Sequence, residues 1–432
     1  MIESHPARDA IWKELHTRPY VRFSPPAHVF RLSFFAGEGD EDGEAADLLR
    51  LTRSLRLAPT YETARHRIFG TTLAGMGRLV LSWERHSEFV AYSFFLYELE
   101  KPFRPFGVEL EELVPAGWRQ GPPTAPLVAT RLAVGSREQM PGTLEGLAPL
   151  FEGHTVNGSR VMAGRGEAWS GYRMHTDGFG RIAVVVDDMS SQELGRTVER
   201  LLTIEDFYHL TLLPLQLARE AKVELAAAER RMLAEMDALR GASSVDQKRT
   251  VLDALLGLAA EIEHLRSRVA DRFGSSSIYF SLLENRFAEL RETKIEHVLP
   301  LNRFVMRRAR PAANTYRVLL SRLGSLSERI DRAADLLRTG IELHVEEQNA
   351  KLLESVDRRA LLQLRLQETV EGLSVIVITY YVLGLLEYAL KGARRMGLRF
   401  DLDATLGLVL PFLLATVCGV VFLVRKRLRA RS

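Results

Sequence analysis

Residues 373–390 read LSVIVITYYVLGLLEYAL, and residues 404–424 read ATLGLVLPFLLATVCGVVFLV. The first run contains one charged residue, Glu387, and the second contains none. An α-helix rises about 1.5 Å per residue, so about 20 apolar residues span the hydrocarbon core of a bilayer. The runs therefore predict transmembrane helices at 370–390 and 404–424, joined as a hairpin by a basic loop at 391–403. The alternative is a buried helix pair in a soluble core.

Basic residues on either side of the two runs predict how the hairpin is oriented. They are Arg358, Arg359 and Arg365 before the first run, Lys391, Arg394, Arg395 and Arg399 in the loop, and Arg425, Lys426, Arg427, Arg429 and Arg431 in the tail at 425–432. Cytoplasmic segments of membrane proteins are enriched in Lys and Arg. The two ends together outweigh the loop, so both termini are expected to be cytoplasmic. The N-terminus, MIESHPARDAIW, has no apolar segment typical of a secretory signal.

The composition of the chain excludes several classes of protein. Of the 432 residues, 46% are hydrophobic and 26% are charged, which excludes a largely disordered chain. The net charge of +3 is too small to predict a nucleic-acid partner. The single cysteine, Cys418, excludes an internal disulfide and a metal site built from cysteines.

The rest of the chain predicts an α+β N-terminal domain followed by long α-helices. Residues 1–189 contain short runs typical of strands at 28–35, 78–84, 88–96 and 127–134, two further runs at 161–174 and 181–186 that flank a turn, and a helical pattern at 44–57. Residues 190–369 predict a helical stalk that Pro214 kinks and that Pro300 and Pro311 interrupt. A coiled-coil-like seam in this stalk consists of Leu255, Leu258, Ile262, Leu265, Val269 and Phe273.

Polar residues inside the first apolar run are the most informative candidates for a site. Tyr380, Gly384 and Glu387 are four and three residues apart, so they share one face of a helix, and Thr379 adjoins them. A carboxylate inside a membrane usually faces a bundle interior or water. The face therefore predicts either a pore lining or a helix contact, which Gly384 would favour. Glu387 is also close enough to the end of the run to reach the headgroups or to pair with Lys391 or Arg394.

Two further polar groups are candidate sites. His5 and His16 lie in one N-terminal segment with Arg8, Glu14 and Arg18, which favours a polar cap over an anion or metal site. On a strand, Glu84, His86 and Glu88 share one face. We interpret this second group as the exposed polar side of a hairpin rather than as a catalytic cluster. The sequence contains no phosphate-binding loop, no nucleophile elbow and no zinc-protease motif, so neither an enzyme activity nor a cofactor is expected.

Four segments of the chain resemble a bacterial family of membrane-anchored proteins, domain of unknown function 3422 (DUF3422). They are HPARDAIWKELHTRPY, LSWERHSEF, GRTVERLLTIEDFYHLTLLPL and LLQLRLQETVEGLSVIVITYYVLGLLEYALKG. The resemblance implies a multi-pass protein of the bacterial inner (plasma) membrane, and the family supplies no catalytic residues. The order of domains is also similar to that of CorA-type cation channels. Their Gly-Met-Asn signature is replaced here by Leu386-Glu387-Tyr388, and a basic loop follows that would repel cations.

Two hypotheses about function follow from the sequence. The first is a membrane-anchored structural or interaction protein that forms a homo-oligomer through its stalk and transmembrane helices. The second is a CorA-like channel or transporter for an inorganic ion, lined by Thr379, Tyr380, Gly384 and Glu387.

Overall fold

The computed structural model describes residues 5, 8, 19–36, 41–115, 118, 125–395 and 401–429. The chain divides into two compact units. The first unit contains Met1–Arg240 and Asp253–Ala333, and the second contains Gly241–Leu252 and Ala334–Ser432. The predicted order is confirmed at the coarse level, because a sheet-rich N-terminal part is followed by long helices and by an apolar C-terminal helix.

A ten-stranded sheet forms the first unit's framework. Its strands are β1 (Ala27–Phe35), β2 (Ala58–Glu62), β3 (His66–Leu73), β4 (Gly77–Arg85), β5 (Phe89–Tyr97), β6 (Val128–Ser136), β7 (Asn157–Val161), β8 (Gly166–Met174), β9 (Gly180–Val186) and β10 (Thr293–Lys294). They are ordered β10-β7-β8-β9-β6-β1-β5-β4-β3-β2. In this described sheet β6 and β9 pair in parallel, and the other neighbouring strands are antiparallel.

Eight α-helices are described. They are α1 (Glu41–Ser54), α2 (Leu110–Leu113), α3 (Leu144–Leu147), α4 (Ser191–Leu212), α5 (Leu215–Gly241), α6 (Val245–Glu289), α7 (Leu301–Arg395) and α8 (Leu402–Arg429). Pro214 lies between α4 and α5, where it ends one helix rather than kinking it. The expected interruption at Pro311 is wrong, because this proline lies inside α7. A proline is tolerated in the first turn of a helix, but further in it removes a backbone hydrogen bond, and here α7 continues past it.

Strand β1 is buried on both faces. Val29 belongs to a core that includes residues of α4 and α6, whereas Phe30, Leu32 and Phe34 belong to a second core on the other face that includes Leu48 and Leu51 of α1. Since side chains alternate along a strand, Arg31 and Ser33 point to the same face as Val29. These polar residues are therefore buried beneath helices, at 0% and 2% exposure, and do not lie on a solvated face.

Helix α4 covers this face of the sheet, and its N-terminus is capped. The Ser190 hydroxyl accepts a hydrogen bond from the Glu193 backbone N–H, and the Glu193 side chain accepts one from the Ser190 backbone N–H, which completes a capping box. One turn further on, Gly195 lies directly against the backbone of Val21. Only glycine permits this approach, because a methyl group would overlap the carbonyl oxygen of Val21.

Replacing Gly195 with alanine is expected to lower the free energy of unfolding by about 1–3 kcal/mol, because the added methyl group forces α4 away from residues 20–21. Gly274→Ala is the matched control, since nothing lies within 4 Å of a Cβ at that position of α6. The control is expected to raise stability by about 0.5–1 kcal/mol, the usual gain on replacing a helical glycine by alanine. Thermal or denaturant unfolding of the purified protein measures both. Equal effects of the two substitutions would contradict the close contact.

Helices α5, α6 and α7 lie side by side in the first unit. Ion pairs connect Glu224 of α5 with Arg268 of α6 at 2.5 Å, and Glu229 of α5 with Arg322 of α7 at 2.5 Å. The six predicted seam residues from Leu255 to Phe273 are all buried, with exposures of 3% or less. Phe273 stacks on Tyr316 of α7, with ring centroids 5.0 Å apart.

In the second unit, α7 and α8 contain the two apolar runs. Both are long and apolar enough to cross a membrane, with mean hydropathies of 1.8 and 2.6 over their most apolar windows. Of these windows, 6% is buried in α7 and none in α8. The described apolar side chains therefore have little protein contact within the chain. Residues 396–400 of the predicted loop lie outside the described residues.

Candidate functional site

The predicted polar face of the first apolar run lies within α7. Thr379 is buried, at 4% exposure, and its hydroxyl donates a hydrogen bond to the carbonyl oxygen of Val375 at 2.7 Å. Tyr380 is 73% exposed. A Cβ built on Gly384 meets nothing within 4 Å, so the described chain makes no close helix contact at this glycine. The structure does not bring these side chains together around a ligand.

Glu387 forms an ion pair with the first of the predicted flanking charges. Its Oε1 accepts a hydrogen bond from Nζ of Lys391 at 2.5 Å, across one turn of α7. The other flanking residues are Arg394 and Arg395 at the end of α7 and Arg425, Lys426 and Arg427 near the end of α8, and their side chains lie outside the described part of the structure. Pairing between Glu387 and Lys391, one of the arrangements that the sequence allows, is therefore observed.

A concentration of buried charge lies in the first unit, around Arg31 of β1. The Arg31 guanidinium donates to Asp206 at 2.8 Å and to Glu199 at 3.3 Å, both on α4, and to Glu84 of β4 at 3.5 Å. We call these four residues the Arg31 cluster. Asp206 also accepts a hydrogen bond from Ser33 at 2.6 Å. Three carboxylates around one guanidinium leave a net charge of −2 when all are ionised.

Two histidines extend the Arg31 cluster along the sheet. His66 of β3 and His86 place Nε2 at 3.6 and 3.5 Å from the two carboxylate oxygens of Glu84. The predicted grouping of Glu84 with His86 is thus present. Glu88 is not part of it, because it pairs with Arg272 of α6. The interpretation of the group as exposed hairpin polarity is wrong for Glu84, whose side chain is 13% exposed, because α4 covers this face of the sheet.

The carboxylates of the Arg31 cluster have different proton affinities. Burial alone would raise the pKa of Glu84, but the hydrogen bond with His86 and the charges of Arg31 and His66 outweigh it and hold the pKa well below its usual range. Burial and the neighbouring charge of Glu84 raise the pKa of Glu199 to about 7. pKa differences of this kind occur both at functional sites and in structural ionic networks.

The edge of the Arg31 cluster reaches a pocket of about 380 Å³. His86 lines this pocket together with Arg65, Arg85 and Arg286. The Arg85 guanidinium is already paired with Glu44 at 2.8 Å. His86 therefore contacts both Glu84 and this pocket.

Glu205 of α4 is a buried carboxylate near the Arg31 cluster, and the effect of its ionisation on stability can be measured. Burial raises its pKa to about 7, against the lowering effect of His209. The folded state then binds one proton more than the unfolded state between about pH 4.5 and 7, so this group makes stability fall as pH rises through that window. Glu205→Gln removes the titration. The measured quantity is the free energy of unfolding of this variant minus that of the natural protein. This difference is expected to be about 2–3 kcal/mol larger at pH 8 than at pH 5.

Denaturant unfolding at the two pH values measures this difference. The control is Glu220→Gln, which changes an exposed carboxylate of α5 in the same way. A pH-independent difference for Glu205→Gln would contradict the raised pKa.

The N-terminal histidine group is only partly described. His5 and Arg8 belong to the described residues, whereas Glu14, His16 and Arg18 lie outside them. A different group of possible metal ligands, Glu152, His154 and His175, places its ligand atoms within 4.8 Å of one another. The sequence pattern gave no indication of this group, because its members lie in two turns that are separated along the chain.

The first unit combines a sheet, covering helices and a buried ionic cluster, and α7 and α8 are long and apolar enough to cross a membrane. The chain is therefore of the class that joins a folded domain to candidate membrane helices. The chain belongs to the family described as Protein of unknown function (DUF3422), whose model matches residues 3–430. This match confirms the resemblance found in the sequence, whereas the likeness to CorA-type channels is not shown. The comparisons with curated proteins and with solved structures found no match.

Proposed function

We propose that the chain is an integral membrane protein with a structural or interaction role and no catalytic activity. In this proposal α7 and α8 form a two-helix transmembrane hairpin in the bacterial inner membrane, and both termini and the first unit are cytoplasmic. The observation that carries it is the exposure of large apolar side chains in both candidate spans. Tyr381 of α7 is 68% exposed, and Leu408 and Phe412 of α8 are both 72% exposed.

The physical argument rests on the free energy of apolar surface. Each Å² of such surface removed from water contributes about 25 cal/mol, and a bilayer removes the surface that this chain leaves uncovered. Soluble proteins rarely leave a contiguous apolar surface as large as two 20-residue helices. Helices are also suited to lipid, because their backbone N–H and C=O groups form hydrogen bonds within the helix.

A homo-oligomer is the second part of the proposal. Before its apolar run, α7 exposes further apolar side chains, among them Leu352 at 62%, Leu353 at 70% and Val356 at 60%. Helix association through such residues, in coiled-coil fashion, would cover them. Gly384, which makes no close contact within the described chain, would permit close approach of a second copy in the membrane.

The alternative of an ion channel receives less support from the side chains that would line it. Glu387 is paired with Lys391, and the Thr379 hydroxyl is bonded to the helix backbone. The charge of the Glu387 carboxylate is already balanced by Lys391, so this residue attracts a cation less than an unpaired carboxylate would. In the first unit, the three carboxylates of the Arg31 cluster all pair with Arg31, which supports a structural role over catalysis.

Fractionation of cells that express the full chain tests the proposal. The protein is expected to stay in the membrane pellet after an alkaline carbonate wash and to enter solution only with detergent. Chemical cross-linking in the membrane is expected to trap multiples of the 48.7 kDa chain. Release of the protein by the carbonate wash would disprove membrane insertion, and a monomer under all cross-linking conditions would disprove the oligomer.

A further inference from the structure

We propose that Glu152, His154 and His175 bind a zinc ion in the first unit. The three residues come from two adjacent turns. Glu152 follows a 3-10 helix, Ala148–Phe151, and His154 lies two residues further on. His175 begins the turn between β8 and β9, where its backbone N–H donates to Phe179 and its carbonyl oxygen accepts from Gly178. Backbone hydrogen bonds thus fix the second turn.

The imidazole of His175 is the strongest indication of a metal site. Its side chain is fully buried, and within the described residues neither ring nitrogen has a hydrogen-bond partner. Buried polar atoms almost always have a partner, and a bound ion is one of the accepted partners when the protein supplies none. Its Nδ1 is 3.4 Å from Oε2 of Glu152, and its ring centroid is 5.5 Å from that of His154. All three side chains thus converge on one point.

The spacing of these atoms fits zinc after a small adjustment. Tetrahedral zinc with bonds of about 2.0–2.1 Å places its ligand atoms roughly 3.3 Å apart. The Glu152–His175 distance already has this value, and all three ligand atoms lie within 4.8 Å of one another. Two imidazoles and one carboxylate are a zinc ligand set that leaves a fourth position for water.

The charges around the site also favour a cation. Arg181 donates to Oε1 of Glu152 at 3.0 Å, which leaves Oε2 for the metal apart from a backbone hydrogen bond from Thr176 at 3.3 Å. Asp177 pairs with Arg181 at 2.9 Å and with Arg131 at 2.7 Å, and Glu109 also contacts Arg131. Three carboxylates and two guanidinium groups give this surrounding a net charge of −1. Nitrogen ligands select zinc over Mg²⁺, which prefers oxygen.

Zinc titration of the full chain tests the site. The protein is purified in detergent without a histidine tag, stripped with a chelator and titrated with Zn²⁺ against a chromophoric competitor. One zinc per chain is expected, Co²⁺ is expected to give the intense visible bands of tetrahedral coordination, and excess Mg²⁺ is expected to leave the affinity unchanged. His154→Gln and His175→Gln should each lower zinc affinity at least about tenfold, since even outer partners of metal ligands contribute about 10- to 100-fold.

His264→Gln, which changes an exposed histidine of α6, is the matched control and should bind zinc like the natural protein. Because His154 is only partly buried, its replacement should weaken zinc binding without unfolding the protein. Melting temperatures measured without zinc check that His154→Gln is folded. Zinc affinity that is equal in His154→Gln and the natural protein, displacement by Mg²⁺, or loss of zinc in His264→Gln would each overturn the proposal.

Discussion

Replacement of Arg31 with methionine is expected to destabilise the first unit by about 3–5 kcal/mol. The guanidinium is fully buried and is the shared partner of Asp206, Glu199 and Glu84. Methionine fills a similar volume but leaves these carboxylates without their cation. The most affected is Asp206, whose side chain is 0% exposed and which would keep only the Ser33 hydroxyl among its described side-chain partners.

Denaturant unfolding followed by far-ultraviolet circular dichroism measures this loss. The control is Arg332→Met, which removes an arginine of α7 that is 65% exposed and pairs with Glu328 at 3.5 Å. Exposed pairs of this kind contribute about 0–1 kcal/mol. Adding Asp206→Asn to Arg31→Met should recover part of the loss, because residues in one ionic network are not additive. Equal stability losses for Arg31→Met and Arg332→Met would show that the Arg31 cluster contributes no more to the free energy of unfolding than an exposed ion pair does.

Two arginines placed in the middle of α8 are expected to abolish its membrane insertion. Leu410→Arg and Leu414→Arg lie one turn apart in the apolar run, and each charged residue at the centre of a span costs about 2.5–3.5 kcal/mol. Together they amount to roughly 5–7 kcal/mol, enough to keep α8 out of the bilayer. If both termini of the natural protein are cytoplasmic, the failure of the second span moves the C-terminus to the opposite side.

Alkaline phosphatase fused after residue 432 reports this change, since it is active only outside the cytoplasm. The natural chain is expected to give an inactive fusion and the double arginine variant an active one. Leu352→Arg with Val356→Arg is the matched control, because these apolar residues of α7 have the same spacing and are also well exposed but lie before the apolar run. An active fusion in the natural chain, or an inactive one in the α8 variant, would contradict the proposed topology.

Much of the fold could be predicted from local patterns. Strands β1, β4, β5, β6 and β9 were predicted within a few residues of their ends, because their Val, Phe and Tyr content and flanking turns are local signals. Strands β2, β3, β7 and β10 were not predicted. β10 has two residues and pairs with β7, more than 130 positions earlier, so only the tertiary structure defines it.

The candidate sites show where sequence patterns are insufficient. The alternation of HVFRLSFF correctly indicated a strand, but it could not show that α4 would cover the polar face and bury Arg31. The partners Glu199 and Asp206 lie more than 160 residues away, so no local spacing could connect them. In the same way, Glu152 and His175 are separated by 23 residues and meet only through two turns. By contrast, the Glu387–Lys391 pair lies within one helical turn, where spacing alone suffices.

The two outer strands of the described sheet affect how copies of this chain can associate with one another. At one border, β2 has a register shift between Pro59 and Tyr61, and at the other β10 is only two residues long. Irregular or very short outer strands offer few free backbone groups in a row to a neighbouring chain. Copies concentrated at high density on a lipid surface would therefore resist strand-by-strand polymerisation, and ordered assembly would have to proceed through their helices.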